Sequence, residues 1–550
     1  MMEKVTSQDL FGSAPLYDLR AARGGAGRRR GRAQSGVDGP RLWANRAIVG
    51  LQELDRGSFT GRLLSGEADH PQSVGDAESH PLSSRVLTEV GRQFARRPSD
   101  FPTGADLLEH QRGVAPDASL PHSSTLSGGL VPPKRGQIWP AQVEAIALPV
   151  REEDPVSMIQ HSPRCARYLS SLPAMQKSTE ELAAEPADGV PEKPYVDPLL
   201  RKQMLELAVR LARGRMLRGT PRCDSEVGLF TVIKKATLRE AGDGYDIELR
   251  LVFDERQPNR VWRTPPWTAL GGPGAWSSLD LSAFRGRSGG SFLMATGDIP
   301  NYYYVLRLPE EFASWFCLPE VRAGELRRRL DEEGLAELGR VLEEQAGGPD
   351  GFLGLQVPCM GWNWAVFLAQ SFLQDQLERL PQLHPGRFVV EGAPSPEVSP
   401  SEPWLGLAHI DDFGLGRWVE TEGHRAELIE MRDTFKQMLF ALGLGVHKED
   451  FGEFVILLGM ELDGKDPRIT SAGEKLWTAA ECLWAMAQEG FAYPRQVKSV
   501  VALANWIAMV NRGLLSVVDH TYQWVRENRE VLKKFPPPET SGRSWRCWER

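Results

Sequence analysis

Residues Leu405–Gly416, with the sequence LGLAHIDDFGLG, decide the interpretation of this chain. Two adjacent aspartates, Asp411 and Asp412, lie between two short apolar runs that are edged by glycine. Such runs predict two short buried strands, so the pair would occupy the tight turn of a β-hairpin. Like charges side by side repel each other and resist burial, and a divalent cation is the most economical reason to place them there. Hard cations such as Mg²⁺ bind carboxylate oxygens, usually together with substrate phosphates.

The aspartate pair also occurs in ordinary turns and in protein kinases. Adjacent aspartates are common as turn residues without a catalytic role. Asp412-Phe413-Gly414 matches the metal-binding tripeptide of protein kinases, and Val232-Ile233-Lys234 is similar to their strand lysine. The context argues against a kinase: residues His384–Arg387 and a Pro/Ser-rich stretch stand where a His-Arg-Asp loop belongs, and no Ala-Pro-Glu follows. A structural turn and a metal site for nucleotidyl transfer therefore remain.

The residues that could complete such a site follow one another in a fixed order. Asp298 ends a short apolar stretch and precedes the aromatic turn Asn301–Val305, so it could supply a third carboxylate. Residues 354–362 lead into an apolar helical run at 365–372. After the aspartate pair, apolar residues at helical spacing predict a helix over about 425–442 that ends at Gly443. The segment around Lys448 and an apolar stretch at 455–463 come next.

With these segments in place, the chain resembles the fingers and palm of a reverse transcriptase. The resemblance runs from about Gly228 to Asp463 and more weakly to about Trp524. In the fingers it includes the strand 230–235 and the Arg-x-x-x-Asp-x-Arg-x-x-Asn pattern at 250–259. In the palm it includes Asp298 with Tyr303, the segment from Gly361 to Gln370, the His-Ile-Asp-Asp box at 409–412, Lys448, and Leu458-Gly459.

The resemblance implies an RNA-directed DNA polymerase and assigns roles to particular residues. Asp298, Asp411 and Asp412 would hold two Mg²⁺ ions, or Mn²⁺, about 3.5–4 Å apart. Lys448 would donate a proton to the pyrophosphate leaving group, and Tyr303 would select deoxynucleotides. The remaining expected substrate contacts are with the triphosphate, through Lys235 and Arg250, and with the nascent base pair, near Gly361 and Gln370.

The implied fold is of the α+β class, a right-hand polymerase with fingers, a palm of antiparallel sheet plus helices, and a helical thumb. Residues 1–190 are rich in Gly, Ser, Pro and Arg and are predicted to be largely disordered. The expected domains are fingers at 191–290, palm at 291–466, a helical thumb at 467–530 and a tail at 531–550. The implied partners are an RNA or DNA template with its primer and deoxynucleoside triphosphates, without a membrane.

Departures from the family pattern concern its subfamily rather than the three aspartates. His409 replaces the usual tyrosine of the box, and the segment Trp362-Asn363-Trp364 is more similar to tyrosine-recombinase retroelements and related sequences of protist genomes than to retroviral ones. Two alternatives to a reverse transcriptase remain, an RNA-dependent RNA polymerase and a non-catalytic relic that only binds nucleic acid. The bulk of Tyr303 argues against the first, because it would disfavour ribonucleotides.

Composition adds the general setting. The 550 residues are 41% apolar, carry a net charge of −8, and contain no 18-residue apolar run, secretory signal or Cys-x-x-Cys pair among six cysteines. These features predict an intracellular protein, nuclear or cytoplasmic, in a reducing compartment. A nucleic-acid groove would have to be locally basic. The run from Arg210 to Arg218 is one candidate, and a solvated helix face is its equally weighted alternative.

Overall fold

The computed structural model describes residues 125–126, 129–130, 136–185, 193–239, 244–276, 279, 284, 289–465, 468–471, 473–489, 493–510 and 519–527. α-Helices and β-strands are mixed along the chain. These residues belong to two compact units: one contains the described residues up to 458 together with 463–465, and the other contains 459–462 and the described residues from 468 onwards.

The strands are short apart from one long hairpin. Their bounds are β1 Thr125–Leu126, β2 Gly129–Leu130, β3 Val156–Ser157, β4 Leu217–Thr220, β5 Gly228–Leu238, β6 Tyr245–Asp254, β7 Ser291–Asp298, β8 Leu306–Arg307, β9 Phe352–Leu355, β10 Trp404–His409, β11 Asp412–Val419, β12 His447–Gly452, β13 Phe454–Leu457, β14 Met460–Asp463 and β15 Arg468–Ser471.

The helices are distributed between and after the strands. Their bounds are α1 Met158–His161, α2 Pro163–Leu169, α3 Leu172–Met175, α4 Thr179–Ala184, α5 Pro198–Lys202, α6 Met204–Arg213, α7 Pro273–Trp276, α8 Ala323–Glu332, α9 Ala336–Gln345, α10 Ala365–Leu377, α11 Glu422–Ala441, α12 Gly473–Glu489, α13 Pro494–Ala508 and α14 Asp519–Glu527. Short 3₁₀ turns lie at Val143–Ala145, Pro258–Arg260, Tyr302–Val305, Glu310–Trp315 and Pro385–Arg387.

A four-stranded antiparallel sheet in the order β10-β11-β7-β12 positions the candidate site. Every residue of β7 is buried, as expected for an internal strand whose sequence is a continuous run of small and apolar residues. Helix α11 packs on this sheet, with the ring of Phe435 at 5.0 Å from that of Phe413 in an edge-to-face contact. The helix predicted over 425–442 is confirmed, and Gly443 follows it with a φ of +70°.

The hairpin of β5 and β6 forms a second antiparallel sheet in the same unit. Its register runs from Gly228 opposite Asp254 to Leu238 opposite Tyr245, with an irregularity between Ile233 and Lys235. Leu229, Ile233 and the facing residues of β6 are buried in the core that the hairpin shares with the four-stranded sheet, whereas the outer positions are exposed or half-buried.

The prediction that residues 1–190 are largely disordered is wrong for 136–185. This segment forms the short helices α1–α4, and Met158, Cys165, Leu169 and Met175 are fully buried in the main core. The helices are too short for a sustained 3.6-residue pattern, so the segment carried no periodic signal in the sequence. The part of the prediction that concerns residues 1–124, including the arginine cluster at 28–32, lies outside the described residues.

The described residues from 473 onwards are mostly helical, whereas β15 at Arg468–Ser471 lies within the segment 467–530 that was predicted to be helical. Cys482 and Met486 of α12 pack against Val497 and Val501 of α13, and Val525 of α14 joins the same small core. Within the residues that the structure describes, no helix combines the length and apolar character needed to cross a membrane. The tail 531–550 lies outside the described residues.

Candidate active site

Two of the three predicted aspartates lie opposite each other on neighbouring strands. Asp298, the last residue of β7, is the register partner of Asp412, the first residue of β11. Asp411 lies in the turn that joins β10 to β11, and its carbonyl oxygen accepts a hydrogen bond from the backbone N–H of Ile299 at 3.0 Å. The predicted placement of the three residues on adjacent strands of one sheet is therefore found in the structure.

The turn that carries the pair has a strained backbone. Ile410 has a φ of +60°, a left-handed conformation that β-branched residues rarely adopt. Such strain persists only where the surroundings hold the backbone in place. Here the backbone N–H of Ile410 donates to Oε1 of Gln370 at 2.7 Å.

Gln370 is the residue that holds this turn. It lies on α10 and is buried, and its Nε2 donates to the carbonyl oxygens of Ala408, at 3.0 Å, and Ala269, at 2.9 Å. The resemblance placed Gln370 near the nascent base pair. Since all three hydrogen bonds of its amide go to backbone groups in the interior, the structure instead assigns it a positioning role beneath the aspartate turn.

His409, which stands in place of the family tyrosine, also ties the turn to the segment before α7. Its Nδ1 lies 2.5 Å from the carbonyl oxygen of Gly271, and the N–H of Gly271 donates to the carbonyl of Ala408 at 3.1 Å. A Cβ at Gly271 would approach Leu407 to 2.9 Å, so the close approach of the two segments depends on glycine there. This contact gives the end of β10 a second anchor beside the one from Gln370.

Burial and neighbouring carboxylates raise the pKa values of Asp411 and Asp412. Burial and the negative charges of Asp411 and Asp298 raise the pKa of Asp412 to about 7. The pKa of Asp411 is likewise raised, by burial and then by the charge of Asp298. Lys448 opposes both shifts, and its Nζ lies 3.1 Å from Oδ2 of Asp298 while most of its side chain is exposed. The site therefore concentrates negative charge that Lys448 only partly balances.

The chemistry of the three carboxylates fits hard divalent cations, but their side chains are not assembled into one ligand set. In the described part of the chain, no three His, Cys, Asp or Glu side chains stand close enough to share an ion. The arrangement implied by the resemblance, in which the three aspartates hold two ions, is thus not assembled in the described residues, and Asp298 is instead paired with Lys448. An added cation would relieve the repulsion between the carboxylates.

Tyr303 reaches the aspartates from a neighbouring element. It lies in the 3₁₀ turn after β7 between two buried tyrosines: Tyr302 donates its hydroxyl to the carbonyl of Ala369, and Tyr304 donates to that of Leu251, each at 3.1 Å. Tyr303 is half-buried and, among the described residues, its hydroxyl makes no hydrogen bond. Burial and the charge of Asp411 raise its pKa, so the ring lies within electrostatic range of the aspartate turn.

Arg250 approaches from the β5–β6 hairpin. Its positive charge partly opposes the rise in the pKa values of Asp411 and Tyr303, so the guanidinium lies within electrostatic range of both. Within the residues described, Arg250 has no ion-pair partner. Lys235 lies on the facing strand, beyond the irregularity at Lys234, and is exposed. Lys234 instead forms an ion pair with Glu248 at 2.8 Å, so Lys235 is the lysine of the two without a carboxylate partner among the described residues.

Gly361 packs closely against the end of β6. Its φ of +132° and the 2.2 Å that would separate a Cβ from the carbonyl oxygen of Phe253 require glycine. Nδ2 of Asn259 donates to the Gly361 carbonyl at 2.8 Å, and Oδ1 of Asn259 accepts from the backbone N–H of Asn363 at 2.9 Å. Asn259, the last residue of the Arg-x-x-x-Asp-x-Arg-x-x-Asn pattern, therefore bridges Gly361 and Asn363 through two hydrogen bonds. No role was assigned to Asn259 from sequence, although its place in that pattern was the signal.

For the polymerase activity proposed below, we expect replacement of Gln370 by alanine to lower the rate of primer extension about 10- to 100-fold, with little change in the KM for nucleotides. The change removes the hydrogen bonds of the Gln370 amide to the Ile410 N–H and to the carbonyls of Ala408 and Ala269, and it releases the strained turn. The matched control is Gln376→Ala on the same helix, since Gln376 is equally buried and donates to the carbonyl of His161, away from the turn. Both variants should lose stability; equal losses of rate in both would contradict a positioning role for Gln370.

Comparison with protein-family models and with curated proteins found no match. Among solved structures, the chain is similar to a foamy viral protease-reverse transcriptase in complex with double-stranded DNA and to one in complex with an RNA/DNA hybrid. Each comparison has 11% sequence identity, a TM-score of 0.38 and 71% coverage of this chain, and covers 58% and 44% of those chains respectively. The chain therefore spans about half the length of these structures, and its function has to be inferred from the site itself.

Proposed function

We propose that this chain contains an RNA-directed DNA polymerase domain that adds deoxynucleotides to a primer 3′-OH. The observation that carries the proposal is the opposition of Asp298 and Asp412 on adjacent antiparallel strands, with Asp411 in a tethered turn between them. Arg250 on β6 and Tyr303 in the 3₁₀ turn after β7 both lie within electrostatic range of Asp411. In this proposal the β5–β6 hairpin belongs to the fingers, the four-stranded sheet to the palm and the C-terminal helices to the thumb.

Asp298, Asp411 and Asp412 would hold two Mg²⁺ ions, because clustered carboxylates with raised pKa values are stabilised by divalent cations. The chemistry supplied by such ions is stabilisation of the attacking and leaving oxygens of an in-line displacement. The role of the protein is to position the reactants and to neutralise charge. The tethers from Gln370 and His409 serve that purpose, because they fix the backbone of the turn before any ligand arrives.

The cationic side chains would bind the incoming triphosphate. Arg250 and Lys235, each without a carboxylate partner in the described residues, are available for phosphate oxygens. Lys448 would exchange its contact with Asp298 for the leaving phosphates once the carboxylate is engaged by a cation, and an ammonium so placed can donate a proton to pyrophosphate. The segment Trp362-Asn363-Trp364 favours a retroelement of the tyrosine-recombinase type within this proposal.

The direct test is primer extension by the full chain on RNA and DNA templates with Mg²⁺, comparing deoxynucleotides with ribonucleotides. Extension of an RNA-templated primer with deoxynucleotides supports the proposal. Preferential use of ribonucleotides would favour an RNA-dependent RNA polymerase. Binding of template–primer without extension, with either Mg²⁺ or Mn²⁺ and either nucleotide set, would identify a non-catalytic nucleic-acid-binding protein.

Sugar selection tests the position of Tyr303. We expect Tyr303→Ala to raise the incorporation of ribonucleotides relative to deoxynucleotides by about tenfold or more, because the ring no longer occupies the space of a 2′-OH. Tyr303→Phe keeps the ring and should preserve discrimination, since the hydroxyl makes no hydrogen bond in the described part of the chain. Competition between the two nucleotide classes at fixed template would be measured. Unchanged discrimination in Tyr303→Ala would show that Tyr303 has only a packing role.

A further inference from the structure

A polar cavity lies away from the three aspartates, in the same compact unit. It has a volume of about 440 Å³ and is bordered by the end of α6, β4, β8 and α9. Three arginines line it, Arg215, Arg218 and Arg307, together with two carboxylates, Asp154 and Glu310. Cavities that bind small molecules commonly have volumes in this range.

The arginines are more deeply placed than the acids that pair with them. Arg218 contacts Glu310 at 2.5 Å, and Arg218 is 22% exposed whereas Glu310 is 68% exposed. Arg307 contacts Asp154 at 2.7 Å, with exposures of 31% and 63%. Ion pairs with such exposed acids contribute little to stability. A ligand with stronger acceptors could therefore replace both carboxylates at small cost.

Arg215 supplies a positive charge that is not balanced in this way. Within the part of the chain that the structure describes, its side chain has no hydrogen bond or ion pair, so three guanidinium groups face two carboxylates in the cavity. Other arginines of the basic run are engaged elsewhere: Arg210 donates to the carbonyl of Ile146 at 2.7 Å, and Arg213 pairs with Glu333. The described arginines of the run therefore have different surroundings, and Arg213 remains 44% exposed.

The backbone at Arg215 is in a conformation that disfavours arginine. Its φ is +56°, its N–H donates to the carbonyl of Ala212, and the N–H of Met216 donates to that of Leu211. This is the left-handed position that ends a helix and that usually carries glycine, because a Cβ is disfavoured there. Arg215 thus occupies a position where its backbone is disfavoured, and its side chain lines the cavity.

We propose that this cavity binds a small molecule with a chain of two or three phosphates, separately from the polymerase site. Guanidinium groups form paired, charge-assisted hydrogen bonds with phosphate oxygens, which are stronger than the exposed ion pairs they would replace. Gln356 borders the same cavity and adds a neutral polar group, although its Nε2 already donates to the carbonyl of Leu308. The ligand can be a nucleotide or an inorganic polyphosphate, since both present this chemistry.

The test is calorimetric titration of the full chain with inorganic tripolyphosphate and, separately, with ATP, in buffer that contains EDTA. Removing divalent metal suppresses triphosphate binding that depends on the three aspartates. Arg215→Ala is expected to weaken binding about 10- to 100-fold. Arg213→Ala, two residues away and outside the cavity, is the matched control and should bind as the unaltered chain does.

Two further variants separate this site from the polymerase site and from a folding defect. Glu310→Gln removes the acid that competes for Arg218 and should strengthen binding about two- to fivefold, an effect that a damaged fold cannot produce. Arg250→Ala removes a cation of the proposed polymerase site and should weaken tripolyphosphate binding in EDTA far less than Arg215→Ala does, because Arg250 does not line this cavity. Tighter binding of ATP than of tripolyphosphate would show that the cavity also contacts the nucleoside. Equal affinities would show that it contacts the phosphates alone.

The proposal is overturned by any of the following results. These are the absence of binding at millimolar concentrations, equal binding by Arg215→Ala and Arg213→Ala, and weaker binding by Glu310→Gln. Loss of binding in Arg250→Ala with retention in Arg215→Ala would also overturn it, since the phosphates would then sit at the polymerase site. Thermal melting of each variant shows whether the fold is retained, and Glu310→Gln decides the question if Arg215→Ala does not fold.

Discussion

Asp411→Asn is expected to lower primer extension at least about 10²–10³-fold while leaving the fold intact. The change keeps the size and shape of the side chain and removes one negative charge from a group that would hold two divalent cations. Loss of a single preorganised electrostatic element typically costs about that much in rate, and a direct ligand should cost no less. Extension with Mg²⁺ and thermal melting without Mg²⁺ would be measured on the same preparation.

Stability is the second half of this prediction. Burial and the charge of Asp298 raise the pKa of Asp411, so the ionised side chain costs stability above its ordinary pKa. Asparagine removes that cost, and the melting temperature without metal should stay the same or rise. Asp450→Asn is the control, since Asp450 is an exposed residue of β12 in the same sheet. Near-normal extension by Asp411→Asn would refute the proposed role, and unfolding would show that the pair is structural.

The second large effect concerns Glu255, just after β6. Its side chain is buried, 1% exposed, and neither carboxylate oxygen has a hydrogen-bond partner in the described residues. Burial, and then the neighbouring charge of Asp254, raise the pKa of Glu255 from 4.5 to about 8. Asp254 itself is paired with Arg256 at 2.7 Å, so that arginine is not available to Glu255.

The pKa of Glu255 predicts a dependence of stability on pH. Between the unfolded pKa and about 8 the folded chain binds a proton that the unfolded chain has released, so stability falls as pH rises through this window and levels off above it. Glu255→Gln removes the titrating group. Its stability relative to the unaltered chain should therefore increase from about pH 5 to about pH 9, by an amount on the order of a few kcal/mol.

Melting temperatures of both proteins across this pH range would test the prediction, because their difference cancels the titrations that they share. Glu248→Gln on the same hairpin is the control: Glu248 is 42% exposed and paired with Lys234, so its removal should shift the melting curve by a small amount. A difference between Glu255→Gln and the unaltered chain that is constant over pH would mean that Glu255 does not titrate in the folded state.

Local patterns in the sequence were sufficient for the elements that carry the site. Alternation of glycine and apolar residues around Asp411 and Asp412 predicted the hairpin, and the structure has β10 and β11 there. The 3.6-residue spacing of apolar side chains predicted α11 to within three residues at its start, where Thr421 caps the helix by accepting from the N–H of His424. These features depend on residues close in the chain, so the sequence alone determined them.

The tertiary structure decided the features that depend on contacts between distant residues. The amide of Gln370 is turned towards Ile410 and Ala408, about 40 residues away, because the strained turn has buried backbone groups that need partners. No periodicity in 136–185 revealed that its short helices are buried in the core, and no motif marked the cavity at Arg215. Hydrogen bonds, burial and pairing between such segments are set by how the chain packs, and a linear pattern does not record that packing.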